Sequence, residues 1–345
     1  MKNQLATLAE RSAFDEIIDV RTPAEFAIDH LPQAINAPVL SNEERVIVGT
    51  LYKTDAFAAT RLGAALAARN IAAHLEGVFA HRPRDWKPLI YCWRGGKRSG
   101  SMTAMFNLIG WRARQLAGGY KAYRRWVAEQ LLQAPLRYQY RVLCGLTGCG
   151  KTRLLRTLAA EGAQVLDLEG LARHRGSLLG GLPGEDQPSQ KCFDSMLVAD
   201  LAVFDPARPV YVEAESKKIG QLWLPDALLA AIRLAPAIHI EASQADRISY
   251  LAREYAALFD QAAAFKLQLS KLTGLHGKQT IARWHDWIDQ RAIAQLAGEL
   301  IDRHYDPLYR RSSPDQSLRA ARQQRLQIDP GGDIHAAARA VLACN

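Results

Sequence analysis

Short apolar runs alternate with helix-like patterns over the first third of the chain. Residues 14–19 and Pro88–Tyr91 have the apolar character of strands, and patterns at helical spacing lie between them at 43–48 and 61–69. In Thr22-Pro23-Ala24-Glu25, a threonine, a proline and a glutamate at capping positions predict the start of a helix. Strands that alternate with helices predict a parallel sheet covered by helices.

A second alternating region follows a polar break in the pattern. A strand is predicted at Tyr140–Cys144, an amphipathic helix at 153–160 and a further strand at 164–168. Past Pro225 the apolar positions recur at helical spacing. The predicted organisation is therefore a first α/β domain at 1–133, a linker at 134–139, a second α/β domain with a helical C-terminal part at 140–310, and a tail at 311–345 with no assigned role.

Composition narrows the class of protein. The chain has 345 residues, of which 48% are hydrophobic and 23% charged, as expected for two globular domains. Its formal net charge of +9 favours a polyanionic partner. No run approaches the roughly 20 apolar residues of a membrane helix, and five cysteines without metal-ligand spacing argue against zinc. We expect a cytoplasmic protein with reduced cysteines and no membrane contact.

The segment after Pro88–Tyr91 carries the first candidate site. Cys92 heads a loop with two glycines and three cations, and a helical pattern follows it. Backbone N–H groups and the helix dipole favour an anion in such a loop, and they lower the pKa of a thiol placed there. We therefore interpret Cys92 as a nucleophile rather than a buried structural cysteine. The residues expected to form the anion loop are Arg94, Gly95, Gly96, Lys97, Arg98 and Ser99.

A phosphate-binding loop follows the strand Tyr140–Cys144. Residues 145–152 read Gly-Leu-Thr-Gly-Cys-Gly-Lys-Thr, the P-loop pattern in its required strand–loop–helix context. The residues expected to bind a diphosphate are Gly145, Thr147, Gly148, Gly150, Lys151 and Thr152. Glu213 and Glu215, after a later strand, are candidate acid or base groups, although ion pairs with Lys217 or Lys218 would account for them equally well. No resident metal is predicted, and a need for magnesium is left open.

The first domain resembles the rhodanese sulfurtransferases. The resemblance lies in Asp19-Val20-Arg21, in His30-Leu31-Pro32 and in the Cys92 loop. In that family the loop reads Cys-x-x-Gly-x-Arg-Ser, whereas here it is one residue longer and has the Cys-x5-Arg spacing of the related cell-cycle phosphatases. A longer loop has a wider mouth, which suits a tetrahedral phosphate-like group better than a single sulfur atom.

The order of motifs along the whole chain resembles the bacterial tRNA 2-selenouridine synthases, over about residues 10 to 310. Besides the two loops, it includes His174-Arg175-Gly176-Ser177, Pro188-Ser189-Gln190, the run from Glu213 to Gly220, and His304-Tyr305-Asp306-Pro307. The resemblance implies a rhodanese-like parallel-sheet domain followed by a P-loop NTPase-like domain.

The same resemblance implies an activity. A 2-thiouridine at the wobble position of tRNA would become 2-selenouridine, with selenophosphate as selenium donor and an S-geranylated intermediate made from geranyl diphosphate. Lys151 and Thr152 would then hold the diphosphate, and the Cys92 loop would hold selenophosphate. A tRNA and a source of selenophosphate are the implied partners.

Basic residues are the candidates for contact with tRNA. Aromatic residues lie among several of them and could stack on unpaired bases, although for any single residue an ordinary solvated helix face explains the pattern as well. The candidate residues are Arg124, Arg125, Arg137, Arg175, Lys217 and Lys218.

Other functions fit parts of the sequence. A nucleotide-dependent kinase or tRNA thiolation enzyme would use the P-loop for hydrolysis and Cys92 as sulfur carrier, but no nucleotide-specificity element is evident. A phosphatase would use Cys92 and Arg98, but no acid lies in the loop. An RNA-binding regulator without catalysis would leave two intact anion loops without a role.

Overall fold

The computed structural model describes residues 5–176, 180–181, 185–312 and 323–343. It divides into two compact units. The first comprises residues 1–131 with 188–199, and the second comprises 132–187 with 200–345. Ser177 lies outside the described residues, as do 313–322 and 344–345 of the predicted tail.

The first unit is built on a five-stranded parallel sheet in the order β1-β5-β4-β2-β3. All four residues of the central strand β4 are buried, because helices cover both of its faces. The strands are β1 Leu5–Ala6, β2 Glu16–Asp19, β3 Ile35–Asn36, β4 Pro88–Tyr91 and β5 Arg114–Leu116. The helices are α1 Pro23–Ile28, α2 Asn42–Leu51, α3 Ala56–Glu76, α4 Lys97–Ile109 and α5 Gly119–Gln133, and the α8 helix Gln190–Val203 begins in this unit.

The second unit has its own parallel sheet, in the order β12-β11-β6-β8-β7. A small antiparallel pair, β9 with β10, stands apart from it. The strands are β6 Tyr140–Cys144, β7 Gln164–Leu166, β8 Val210–Glu213, β9 Lys218–Ile219, β10 Leu222–Trp223, β11 Ala237–Glu241 and β12 Gln323–Gln327. The helices that flank its strands are α6 Lys151–Ala160, α7 Leu168–Ala172 and α9 Asp226–Leu234.

A helical region follows β11 and packs around its own apolar core, in which Trp284 is fully buried. A π-helix at Ile301–Tyr305 leads directly into its last helix. The helices are α10 Gln244–Phe259, α11 Ala262–Ser270, α12 Thr273–His276, α13 Lys278–Asp289, α14 Ile293–Leu300 and α15 Asp306–Ser312. These features confirm the α/β fold class with a helical C-terminal part.

The tail, to which the sequence assigns no role, extends the second sheet. β12 pairs in parallel with β11, and the helix α16 Ile334–Ala343 buries Ile334, Ala338 and Val341 in the core beside α6. β11 itself lies in the region past Pro225 where only helices are predicted. The predicted capping box at Thr22 is present, with the Thr22 hydroxyl accepting from the backbone N–H of Glu25. Among the described residues, no helix has the length and apolar character needed to cross a bilayer.

Candidate functional site

Cys92 follows directly on β4, at the carboxyl edge of the first sheet. Its sulfur accepts a hydrogen bond from the backbone N–H of Gly96 at 3.2 Å and one from the Ser99 hydroxyl at 3.1 Å. Burial of the thiol raises its pKa, but the hydrogen bonds from Ser99 and Gly96 and the charge of Arg98 outweigh burial, so that the pKa of Cys92 lies below its ordinary value. These hydrogen bonds and this charge favour the thiolate form of Cys92.

The backbone of a second loop supports the Cys92 loop. The N–H of Tyr120 donates to the carbonyl of Cys92 at 2.9 Å. Gly119 has a φ of +56°, and a Cβ added there would lie 2.3 Å from the Cys92 carbonyl oxygen and 2.5 Å from the nitrogen of Gly95. Only glycine allows the two backbones to come this close. The contact explains why the sequence has glycine in the Gly118-Gly119 pair.

The three cations of the loop have different surroundings. Arg94 and Lys97 are exposed at its rim, whereas Arg98 donates to the Glu25 carboxylate at 2.9 Å. Glu25 is also the capping glutamate of α1. Two groups were not identified from the sequence: Glu25 as the partner of Arg98, and Gln115, whose amide donates to the Ser99 hydroxyl at 2.7 Å. That second bond orients the Ser99 hydroxyl toward Cys92.

The P-loop occupies the corresponding place in the second unit, between β6 and α6. Gly145, Gly148 and Gly150 all have positive φ angles, which open the backbone into a cradle of N–H groups. The Lys151 ammonium lies across this cradle and donates to the carbonyls of Gly145 at 2.9 Å and Leu146 at 3.3 Å. The loop therefore has the shape and charge of an anion site.

Residues far along the chain fix the P-loop in place. Arg247 forms a buried bidentate pair with Asp306, at 2.6 and 3.0 Å, and its Nε donates to the carbonyl of Thr147 at 2.9 Å. The Tyr309 hydroxyl accepts from the N–H of Gly145 at 3.1 Å. Asp306 comes from the His304-to-Pro307 motif. The structure thus gives that motif a place beside the phosphate loop that sequence reasoning did not find.

Three carboxylates converge next to the P-loop helix. Glu169, Glu213 and Glu215 bring carboxylate oxygens within 4.8 Å of one another, and the Thr152 hydroxyl donates to Glu169 at 3.3 Å. Burial, and then the charge of Glu213, raise the pKa of Glu169 to about 8. Burial also raises the pKa values of Glu213 and Glu215. Sequence analysis identified Glu213 and Glu215 as candidates but gave no role to Glu169. Glu169 lies seven residues before Gly176 of the motif that begins at His174.

The basic residues predicted to contact tRNA do not form one group. In the first unit Arg124 is largely buried in ion pairs with Asp29 at 3.3 Å and Asp194 at 2.8 Å, while Arg125 is exposed. In the second unit Arg137 is exposed.

The remaining candidates, Arg175, Lys217 and Lys218, lie in the second unit. Arg175 pairs with Glu254 at 3.5 Å. Lys217 and Lys218 place their ammonium groups 5.9 and 5.4 Å from the ring of Trp223, which is 52% exposed. Lys217 also pairs with the Asp226 carboxylate at 3.0 Å.

Comparisons with known proteins agree with this two-part organisation. A family model described as a rhodanese-like domain matches residues 1–125, and one described as the tRNA 2-selenouridine synthase AAA domain matches residues 138–281. The chain is 32% identical to the tRNA 2-selenouridine synthase of Aeromonas salmonicida, with 85% of this chain and 86% of that protein covered. It is also 32% identical to the synthase of a Sulfurovum species, with 85% and 87% covered. A protein of the same name from Nitrosomonas europaea is 35% identical, with 69% of this chain and 63% of that protein covered.

Proposed function

The chain belongs to the tRNA 2-selenouridine synthase family, and from that membership we propose that it converts a wobble 2-thiouridine of tRNA into 2-selenouridine. The proposal includes selenophosphate as the selenium donor and an S-geranylated tRNA intermediate formed from geranyl diphosphate.

One observation supports this division into two steps. The chain carries two strand–loop–helix segments, of which the first places a thiol with a lowered pKa in its loop and the second places an ammonium and a hydroxyl beside carboxylates. An alkylation followed by a selenium transfer needs these two different kinds of site. A kinase that only hydrolyses a nucleotide would need just the second, whereas a thiolation enzyme would use both, so the experiment below has to distinguish the two.

In the first step, Lys151 and the N–H groups of the P-loop would stabilise the charge that develops on the diphosphate as the allylic C–O bond breaks. The thiouridine sulfur would form the new C–S bond, and diphosphate would leave. Alkylation converts a poorly displaced thiocarbonyl sulfur into a thiol leaving group. No nucleotide hydrolysis is required.

In the second step, the cations of the Cys92 loop would balance the charge of selenophosphate. The Cys92 thiolate would attack the phosphorus of selenophosphate and break the P–Se bond, and the selenide set free would attack carbon 2 of the base, from which geranyl thiol would leave. Water would then release phosphate from Cys92. The lowered pKa of Cys92 supplies the thiolate that this role requires.

The experiment combines purified protein with tRNA bearing 2-thiouridine and geranyl diphosphate, and selenophosphate is added afterwards. Mass spectrometry of digested nucleosides follows each stage. We expect Lys151→Ala to block geranylation and Cys92→Ser to block only the appearance of selenouridine. Lys271→Ala, a change at an exposed lysine of the second unit, serves as the control.

Two results would contradict the proposal. The first is that neither nucleoside forms while a nucleotide is hydrolysed in a Lys151-dependent way, which would favour the kinase or thiolation function. The second is that Cys92→Ser leaves selenouridine formation unchanged, which would remove Cys92 from the chemistry.

A further inference from the structure

Arg124 connects three helices of the first unit. It lies in α5, and its guanidinium donates to the carboxylate of Asp29, at the end of α1, at 3.3 Å and to the carboxylate of Asp194, in α8, at 2.8 Å. Two further contacts with α8 are to the Ser195 hydroxyl at 3.0 Å and to the carbonyl of Lys191 at 2.8 Å. The Arg124 side chain is only 19% exposed. One arginine therefore holds the first turns of α8 beside α5.

The part of α8 that Arg124 contacts comes from far along the chain. Asp194 lies 70 positions after Arg124, beyond the P-loop, and yet residues 188–199 belong to the first unit. The match to the rhodanese-like family ends at residue 125. The contacts between Arg124 and α8 are therefore an addition to the part of the chain that resembles that family.

Asp29 depends on its contact with Arg124. It is 1% exposed, and among the residues that the structure describes its Oδ1 atom has no hydrogen-bond partner. Its Oδ2 atom accepts from the Tyr120 hydroxyl at 2.7 Å and from Arg124. A buried carboxylate needs such partners to offset its loss of water. Burial raises the pKa of Asp29, and Tyr120 and Arg124 act against that rise.

Tyr120 links this group to the Cys92 loop. The Tyr120 hydroxyl is bound to Asp29, and the guanidinium of Arg21 lies 3.9 Å from the centre of the Tyr120 ring. The backbone N–H of Tyr120 donates to the carbonyl of Cys92 at 2.9 Å, and the ring of Trp93 packs against that of Tyr120, with 5.3 Å between the ring centres. The contacts of one tyrosine side chain thus fix the backbone that supports the Cys92 loop.

We propose that Arg124 is a positioning residue that, through Asp29 and Tyr120, keeps the Cys92 loop in its hydrogen-bonded shape. When this link is broken, the donors to the Cys92 sulfur are less well aligned, and the thiolate loses stabilisation. The effect is smaller than that of removing one of those donors, because Arg124 acts through other residues. Arg124 is thereby assigned to the interior of the first unit and not to contact with tRNA.

The inference deepens the proposed function at the Cys92 loop and rests on it for the role of the thiol. The test measures alkylation of Cys92 by iodoacetamide in the full-length protein as a function of pH, followed by mass spectrometry of the peptide that contains Cys92. Because the thiolate is the reactive form, the midpoint of the profile gives the pKa of Cys92. We expect Arg124→Gln and Asp194→Asn each to raise the midpoint by about 0.3–0.5 pH unit, which is a two- to threefold loss of thiolate below the midpoint.

Asp194→Asn separates positioning from simple electrostatics. Loss of a negative charge by itself would favour the thiolate and lower the midpoint, whereas loss of positioning raises it. Glu129→Gln makes the same change of charge at an exposed site of α5 and is the control, which should not raise the midpoint. The double variant of Arg124→Gln with Asp194→Asn should shift no further than Arg124→Gln alone, because both changes break the same link.

The melting temperature of each variant shows whether it is folded, and Asp194→Asn carries the test if Arg124→Gln does not fold. A folded Asp194→Asn with an unchanged or lower midpoint would overturn the inference, as would additive shifts in the double variant. Alkylation needs neither tRNA nor selenophosphate. The expected shifts in a protein that forms no selenouridine would therefore contradict the proposed function alone, whereas unchanged profiles in an active enzyme would contradict this inference alone.

Discussion

The Cys92 loop and the P-loop share a strand–loop–helix plan but are stabilised in different ways. The contacts that shape the Cys92 loop come from nearby in the sequence, namely from Gly96, Ser99, Gln115 and the backbone at Gly119. The P-loop instead depends on Arg247, Asp306 and Tyr309, which are about 100 to 164 positions away. One site is therefore specified mainly by a local segment and the other by the fold of its whole unit.

The largest effect that tests this contrast is expected from Asp306→Asn. The change leaves the buried guanidinium of Arg247 without its bidentate partner, and breaking such a pair costs about 3–5 kcal/mol. Hydrogen exchange followed by mass spectrometry should show faster exchange in peptides of the P-loop and α10. Peptides around Cys92 should be unchanged.

The matched control for Asp306→Asn is Asp289→Asn. Asp289 pairs with Lys266 on the surface, where removal of an ion pair costs about 1 kcal/mol or less. If Asp306→Asn were no more damaging than this control, the P-loop would not depend on its distant partners.

Gly119→Ala in the first unit is the opposite test, because it should disturb the Cys92 loop and leave the P-loop unchanged. Its Cβ would contact the backbone of Cys92 and Gly95, where no flexible side chain can move away. We expect a loss of about 2–3 kcal/mol in unfolding free energy, with faster exchange at the Cys92 loop and none of this effect at the P-loop.

Gly110→Ala is the control for Gly119→Ala, because it separates the cost of a positive φ from the cost of a steric clash. Gly110 also has a positive φ, of +108°, but nothing lies within 4 Å of an added Cβ. Gly110→Ala should therefore cost only the backbone strain, roughly 1–2 kcal/mol. Equal costs at the two glycines would mean that the close contact of the two loops does not matter.

The same contrast explains what the sequence could predict. β4, the P-loop and the capping box at Thr22 are each encoded in a few consecutive residues, and the structure has them where the pattern indicates. The closeness of Glu169 to Glu213 could not be found this way, because it depends on the pairing of β7 with β8. Nor does any local pattern link Arg247 with Asp306.

Among the strands that the sequence did not predict, β11 and β12 were missed for different reasons. β11 is a short apolar run between longer helical patterns, and such runs are ambiguous by periodicity alone. β12 lies at the edge of its sheet and consists of Gln-Gln-Arg-Leu-Gln, so it lacks the apolar alternation of a strand with a buried face. Its position depends on β11, because β12 pairs with the edge of β11 that faces away from β6.

A smaller effect is expected from Ser99→Ala. A hydrogen bond to a charged group contributes roughly 1.5 kcal/mol, so its loss should lower the thiolate population of Cys92 at neutral pH by up to about tenfold. Because Ser99 lowers the pKa of Cys92, the titration midpoint should move to higher pH in the variant. The ultraviolet absorbance of the thiolate, with Cys92→Ser as the blank, measures it.

The control for Ser99→Ala is Ser101→Ala, because the Ser101 hydroxyl donates to backbone carbonyls of Lys97 and Arg98 and not to Cys92. An unchanged midpoint in Ser99→Ala would show that the local hydrogen bond does not set the charge state of the cysteine.

The smallest effect concerns a distant partner of the Cys92 loop, Glu25, which lies 73 positions before Arg98. In Glu25→Gln the charge of Arg98 is no longer balanced by a carboxylate, so Arg98 should favour the thiolate more strongly. The pKa of Cys92 should fall and the thiolate population rise by about twofold or less, since the pair is partly exposed. Glutamine keeps the helix cap, and Glu44→Gln makes the same change in the capping box of α2 as a control. A shift to higher pH, or one larger than that of Ser99→Ala, would mean that a distant residue governs this loop as well.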